Sequence, residues 1–407
     1  EIDNIKGGSI LTISQKSVKH EFFSIFDKQK KFPAYDEITF QKVFETAVHK
    51  RSSKFNYITV MLSGGLDSSA VAVALKNSLS KNIETISANF SHIDDSLETD
   101  ESRYQKFVSD FTKFKENHVE MKGKSILEDI DKYIHIFQEP VILPNLYMFE
   151  LICKNLERTK IDSIFDGNDG DSVISYGFED IFKYFTSFRF VSFFKAVSAY
   201  AQVHRKSKKS MFHFFLRNTA KKIFKLNDKV ENKTLLLGNI YKSVQKNQTR
   251  SIFDSHKSNL ENNLHKISFN YRYKIFSRLG IECVSPFYDK DLIDFCTQMP
   301  SKFKFNKGYT RYILRKYLNK YLPHEHAFRP RKSNLAKGLE SNFSEQDIKI
   351  VLKERNNINK RLLKLIEVRE IDAICYKWQK NREITEEDII NLQIFLNINI
   401  FLNSFFD

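Results

Sequence analysis

The chain has 407 residues, enough for a sizeable core and two or three structural units. It is 41% hydrophobic and 28% charged, with a mean hydropathy of −0.43, and no run reaches the ~18 uninterrupted apolar residues of a membrane-crossing helix. The formal net charge is +15, and it is uneven. Ile181 to Lys225 contains no Asp or Glu but eleven Lys and Arg: Lys183, Arg189, Lys195, Arg205, Lys206, Lys208, Lys209, Arg217, Lys221, Lys222 and Lys225.

In chain order, residues 5–13 read as a turn and a short strand, and residues 36–52 as a helix. From Tyr57 onward strand and helix alternate. Strands are expected at 57–62, 83–90, 117–121 and 161–166, and helices near 67–80, 98–114, 125–138 and 145–159. This alternation predicts an α/β fold, a parallel sheet with helices on both faces and ligands at the carboxyl ends of its strands.

The first strand, Tyr57 to Leu62, runs into Ser63-Gly64-Gly65-Leu66-Asp67-Ser68-Ser69 and then a helix-forming alanine-rich run. Strand, glycine turn and helix together aim free backbone N–H groups and a helix N-terminus at an anion. Gly64 and Gly65 allow a close backbone approach, and Ser63, Ser68 and Ser69 add hydroxyls. Asp67 would repel phosphate, and it makes sense if it holds a divalent cation that bridges to the phosphates. The loop lacks the Lys-Ser/Thr of a Walker A motif and the three-glycine spacing of a dinucleotide fingerprint. A second cluster, Asp166-Gly167-Asn168-Asp169-Gly170-Asp171-Ser172, follows another predicted strand and so reaches the same edge. Its aspartates suit a metal or an acidic turn equally well; the aspartate in the first loop favours the metal.

Residues 178–250 read as helices rich in Phe, Lys and Arg. The plain reading is a helical insertion whose aromatic stripe packs on the core while its lysines face water. The sharper reading is a basic surface, centred on 181–225, for an acidic partner: a membrane face, nucleic acid or a polyanionic substrate. The tail from 344 is helical, with a cap at Thr385 to Asp388. Ile389 to Phe406, broken by five Asn and Gln, reads as a helix buried in protein. Four dispersed cysteines (Cys153, Cys283, Cys296, Cys375) exclude a C-x-x-C metal site and favour a reducing, cytoplasmic setting; the start of the chain has no signal pattern.

Four blocks in order carry a resemblance. Ser63 to Ser69 is similar to the SGGxDS pyrophosphate loop of the ATP-pyrophosphatases. Gly167-x-x-Gly170-Asp171 resembles G-x-G-x-D-E, and Gly280 to Asp289 resembles G-x-E-x-R-x-P-F-L-D. Arg311 to Arg315, Leu322-Pro323, Arg329 and Lys332 resemble the family's last block. Over roughly 40–340 the chain thus resembles the C-terminal synthetase domain of the asparagine synthetase family, which also includes β-lactam synthetases and lasso-peptide cyclases. On that reading residues 1–55 are an N-terminal segment, 56–177 the ATP-pyrophosphatase core, 178–254 the basic helical insertion, 255–340 the rest of the synthetase domain and 341–407 a helical tail.

The resemblance implies ATP and Mg²⁺. Met61, Leu62, Ser63, Gly64, Gly65, Asp67, Ser68, Ser69 and Gly167 would bind ATP, and Asp67 and Asp171 the metal. A carboxylate of a small molecule, glycan or peptide would be adenylated and passed to ammonia or an amine, with Lys332 stabilising the charge that develops. Asn168 stands where the family carries Glu or Tyr as part of the base, and an amide accepts no proton at neutral pH, so Asp169 or Glu282 is expected to take that role. Ser172 and Ser285 replace a usual Glu and Arg. These departures favour a tailoring enzyme over housekeeping asparagine synthesis. Residues 1–30 resemble only the far end of a glutaminase domain, so the nitrogen is expected from another domain, a partner or the substrate. The alternatives are a tRNA-modifying pyrophosphatase and a regulatory protein on a synthetase scaffold.

Overall fold

The computed structural model describes residues 9–22, 30–78, 82–90, 101–141, 145–157, 159–224, 256–260, 263–330 and 335–406. Residues 5–8, the opening of the helix expected from 98, the insertion beyond Phe224 and Lys332 lie outside them.

The chain opens on an exposed antiparallel hairpin, β1 (Ser9–Ile13) and β2 (Val18–Phe22), of which only the first strand was expected. Helix α1 (Glu37–Ser52) starts where the Asp36 carboxylate accepts from the Thr39 N–H at 2.7 Å, and it buries Phe40, Phe44, Ala47 and Val48. The alternating region then follows as β3 (Tyr57–Met61), α2 (Leu66–Ser78), β4 (Asn82–Asn89), α3 (Ser102–Thr112), β5 (Lys115–Glu120), α4 (Ile130–Phe137), α5 (Leu146–Leu156), β6 (Ser163–Phe165) and the short α6 (Gly170–Ile174). A fifth strand, β7 (Glu282–Val284), was not expected: three residues are too few to display a period.

These strands form one parallel sheet in the order β5-β4-β3-β6-β7, with Ile58 opposite Ile83 on one side and Ser163 on the other. The chain builds outward from β3 to β5 and then returns to the far side of β3. The reversal falls between β3 and β6, where an open parallel sheet leaves a crevice at its carboxyl edge. Period-two alternation sends neighbouring residues into two cores. Ile164 and Cys283 face α4, α5 and the C-terminal helices, whereas Phe165 and Val284 face α1, α2 and helix 290–298.

Helices α7 (Phe178–Thr186), α8 (Phe190–Val203) and α9 (Lys208–Phe224) pack around a third core of their own: Ile181, Phe193, Val197, Ala201, Met211 and Phe215. The expected aromatic stripe therefore splits. Phe193 and Phe215 are fully buried, while Phe188 and Phe194 are exposed.

The last helix, Glu386–Phe405, begins with the expected capping box between Thr385 and Asp388. The asparagines that interrupt its apolar run serve the backbone of packed loops: Asn397 accepts from the Val141 N–H at 2.8 Å and Asn399 from the Asn359 N–H at 2.9 Å. Among the described residues no helix is long and apolar enough to cross a membrane. All four cysteines are free and buried.

Candidate active site

A cleft of about 640 Å³ opens at the switch point between β3 and β6. Its floor is the two glycine loops, pressed together. A Cβ on Gly167 would lie 2.3 Å from the Ser68 nitrogen, and one on Gly170 would lie 2.7 Å from Asp67 Oδ1. The close approach that the glycines allow is therefore, in part, of one loop to the other. Gly64 adopts φ +80°, a left-handed turn that brings it against Glu101. Ser63 and Ser68 hydroxyls lie 3.1 Å apart, and the Gly65 N–H donates to Ser63 Oγ at 3.1 Å, which fixes the curl of the loop.

Of the sequence-predicted ATP ligands, Met61, Leu62, Ser63, Gly65, Asp67, Ser68 and Gly167 line the cleft. Ser69 does not: it is fully buried, and its hydroxyl is 3.1 Å from His326 Nε2. Beside the loops the cleft is apolar, walled by Ile86, Ala88, Phe90, Met148 and Phe149. Such a wall suits a flat base.

Three guanidinium groups, from Arg311, Arg315 and Arg329, converge on the loops. Sequence reasoning quoted these positions only as parts of a block and gave them no role; the absence of acidic residues from Arg311 to Lys320 was the signal at hand. Arg311 donates to Asp67 Oδ2 at 2.6 Å and Arg329 to Glu101 Oε1 at 2.6 Å. Arg315 is held by carbonyls, those of Thr310, Ala327 and Arg329. Burial, then the neighbouring Arg311 and Arg329, push Arg315 down to about 9. A polyanion placed here would relieve that crowding.

Asp67 and Asp171 share one neighbourhood. The Tyr176 hydroxyl donates to Asp171 Oδ2 at 2.6 Å, and the Arg311 guanidinium stands 5.6 Å from the Tyr176 ring. Burial disfavours the Arg311 charge, but Asp67, Tyr176 and Asp171 more than offset this and hold its pKa above the usual value. Among the described residues no three His, Cys, Asp or Glu gather as a metal cage. Magnesium needs no such cage. One or two carboxylates plus substrate phosphates suffice; Asp67 lines the cleft and fits that role, with Asp171 set back behind Tyr176.

Asn168 lines the cleft, with Asp169 behind it in the left-handed region at φ 57°. Asp169 Oδ2 accepts from Asn168 Nδ2 at 2.6 Å and from the Tyr288 hydroxyl. Burial, then Asp169, drive the Tyr288 hydroxyl well above its ordinary pKa, so it remains a donor. Glu282 is elsewhere. It is the first residue of β7, at the amino end of the sheet, half-exposed and paired with Lys54 at 2.7 Å. The expectation that it supplies the base is corrected on that ground. Ser285, in place of the usual Arg, donates to Asp166 at 2.7 Å, and the buried Arg272 meets the Asp166 charge from the helix Asn263–Ser277. Burial pushes the Asp166 carboxyl up against the pull of Arg272.

Two buried histidines frame the site. His326 packs behind the first loop, and His256 Nε2 lies 2.9 Å from the Ser172 carbonyl. Burial lowers both to about 3, assisted by Arg329 and Arg315 at His326 and by Lys304 at His256. The unfolded chain protonates them first, so their contribution is complete above about pH 6.5 and declines as pH falls from there toward 3. Urea titrations at pH 7 and pH 5 should show a loss on the order of 1–2 kcal/mol per histidine, reduced in His326→Gln. An unchanged midpoint would sink this.

The far wall of the cleft comes from the third core's helices: Tyr176 and Phe178 at the start of α7, Tyr200 on α8, and His204 and Lys206 after it. The family model described as asparagine synthase matches residues 39–403. Comparison with curated proteins returns no match.

Proposed function

Because the chain belongs to the asparagine synthase family, a family of ATP-dependent ligases, we propose that it activates a substrate carboxylate by adenylation and passes the acyl group to nitrogen. The observation that carries this reading is the contact of the two glycine loops beneath three converging arginines. ATP would lie with adenine against Phe90, Met148 and Phe149 and its phosphates on Ser63 to Ser68. Arg311, Arg315 and Arg329 face the place where charge builds as pyrophosphate departs, and they need no reorganisation to meet it. Asp67 and Asp171 would hold Mg²⁺, which when bound neutralises polyphosphate charge.

The carboxylate oxygen attacks the α-phosphorus, and the bond to pyrophosphate breaks. Ammonia or an amine then attacks the acyl carbon and AMP leaves with the electron pair. Asp169 is the group to take the proton released from nitrogen, through a water, with Asn168 and Tyr288 holding the carboxylate in place. The family resemblance assigns Lys332 the stabilisation of both transition states. Tyr200, His204, Lys206 and Arg272 would meet the remainder of the substrate, and that wall supports tailoring of a glycan, peptide or small molecule.

The test is release of pyrophosphate from ATP and Mg²⁺ across a panel of carboxylates with ammonia or amines supplied. Release that depends on one acid and is lost in Lys332→Ala is the expected result. Release of phosphate in place of pyrophosphate would overturn adenylation.

A further inference from the structure

Twenty-two large apolar side chains are exposed among the described residues, and eight of them fall between Phe188 and Phe224. Phe188 is 81% exposed, Val191 68%, Phe194 50% and Phe224 69%. Their placement is not scattered. Helices α8 and α9 are joined by residues 204–207 and pack against each other. Phe185 lies 5.4 Å from the Phe190 ring and Lys222 Nζ stands 5.0 Å over Phe182, so the first turn of α8 and the last turn of α9 both meet the second half of α7. Phe188, Phe190 and Val191, with Phe194 one turn on, and Ile223 and Phe224 thus gather at the second half of α7, away from the cleft-lining Phe178 and Tyr200.

Phe188 is held there at a cost. Its backbone sits at φ 57°, the left-handed region that a bulky residue rarely adopts, while its ring touches Phe190 and otherwise faces outward. Beyond Glu179 and Asp180 in the first turn of α7, the charge of this unit is of one sign: no Asp or Glu occurs from Ile181 to Lys225 and eleven cations do. A second copy of the chain would bring like charge against like. A nucleic acid would meet the charge and stack on the phenylalanines, but would leave the exposed aliphatic Val191 and Ile223 beside them without an apolar partner. Phenylalanine and aliphatic side chains ringed by lysine on short helices match an anionic lipid surface, with the apolar groups entering the headgroup boundary and the ammonium groups at phosphate level.

We propose that the Phe188–Phe194 and Ile223–Phe224 end of the α7–α9 unit docks on an anionic lipid bilayer, peripherally and without crossing it. This does not depend on the adenylation chemistry. It places the cleft wall at Tyr200 and His204 roughly 20 Å from the lipid, by the rise of α8.

The experiment is co-sedimentation of the full chain with phosphatidylcholine vesicles, with and without about a third phosphatidylglycerol. A variant carrying Phe188→Ser, Val191→Ser, Phe194→Ser and Phe224→Ser is run alongside. All four side chains are exposed, so an unchanged circular-dichroism melt checks that the fold is kept. The wild type should pellet with the anionic vesicles only, and the variant should lose at least about tenfold in partitioning. A second variant, Lys195→Glu with Lys221→Glu, should lose binding while its aromatic side chains remain. Absence of wild-type binding overturns the proposal. So does binding that the serine variant retains, or a wild-type dimer in solution that the serine variant dissolves.

Discussion

Asp67→Asn is expected to reduce acid-dependent pyrophosphate release by about 100-fold or more while leaving the protein folded. The substitution preserves shape and leaves an amide oxygen to accept from Arg311, so the contact now 2.6 Å long need not be lost. What disappears is one negative charge, half of the carboxylate pair available to a magnesium ion. Arg311 would keep the field of Asp171 nearby, so its buried guanidinium is not stranded. Thermal melting shifted by only a few degrees, with turnover abolished, is the expected pair of results. Unchanged turnover would mean that Asp67 merely holds Arg311 in place. Asp171→Asn should follow it in direction and retain more activity, because Asp171 stands behind Tyr176 and not on the cleft surface.

Gly167→Ala should damage the floor of the cleft directly. The new Cβ would meet the Ser68 nitrogen at 2.3 Å, the Asp67 carbonyl carbon at 2.6 Å and Ser68 Cα at 2.7 Å, all of them backbone. No rotamer change relieves that clash, so the first turn of α2 must move away from β6, opening the floor of the cleft. A loss of about 1–3 kcal/mol in stability is expected from the overpacking, together with loss of ATP binding measured by titration calorimetry. Gly123→Ala is the matched control. It meets nothing within 4 Å, but its φ of +71° costs about 1–2 kcal/mol. Comparable stability with intact ATP binding in Gly123→Ala would separate local strain from damage to the site. ATP binding that survives Gly167→Ala would refute the loop contact as the floor of the cleft.

The parallel sheet and both glycine loops were legible because each signal is local: an apolar β-branched run, adjacent glycines, a helix former immediately after. The blocks around β7 and Arg311 could be matched as words, but not placed. Glu282 and Ser285 lie three residues apart, yet one closes the amino end of the sheet against Lys54 and the other reaches Asp166 at the site. A strand of three residues decides that difference, and no periodicity in it could have been read. The three arginines are separated from the first loop by more than 200 residues of sequence and from the second by more than 130, and meet them only through packing. Arg272 was invisible for the same reason, since its partner Asp166 is fixed only when the helix packs. The aromatic stripe of the insertion was read correctly as helical, but a helix with both a buried and an exposed aromatic face has no single side that sequence alone can call the core.

The burial of all four cysteines has a practical side. The pKa of Cys153 and of Cys296 is pushed up to about 12 by burial, and those of Cys283 and Cys375 are raised by the same cause. Little thiolate is present near neutral pH, so maleimide or iodoacetamide labelling of the folded protein has almost no background. A cysteine introduced at an exposed position would then be the only fast-reacting thiol. The native chain is already suited to carrying a single fluorophore or spin label at a chosen point.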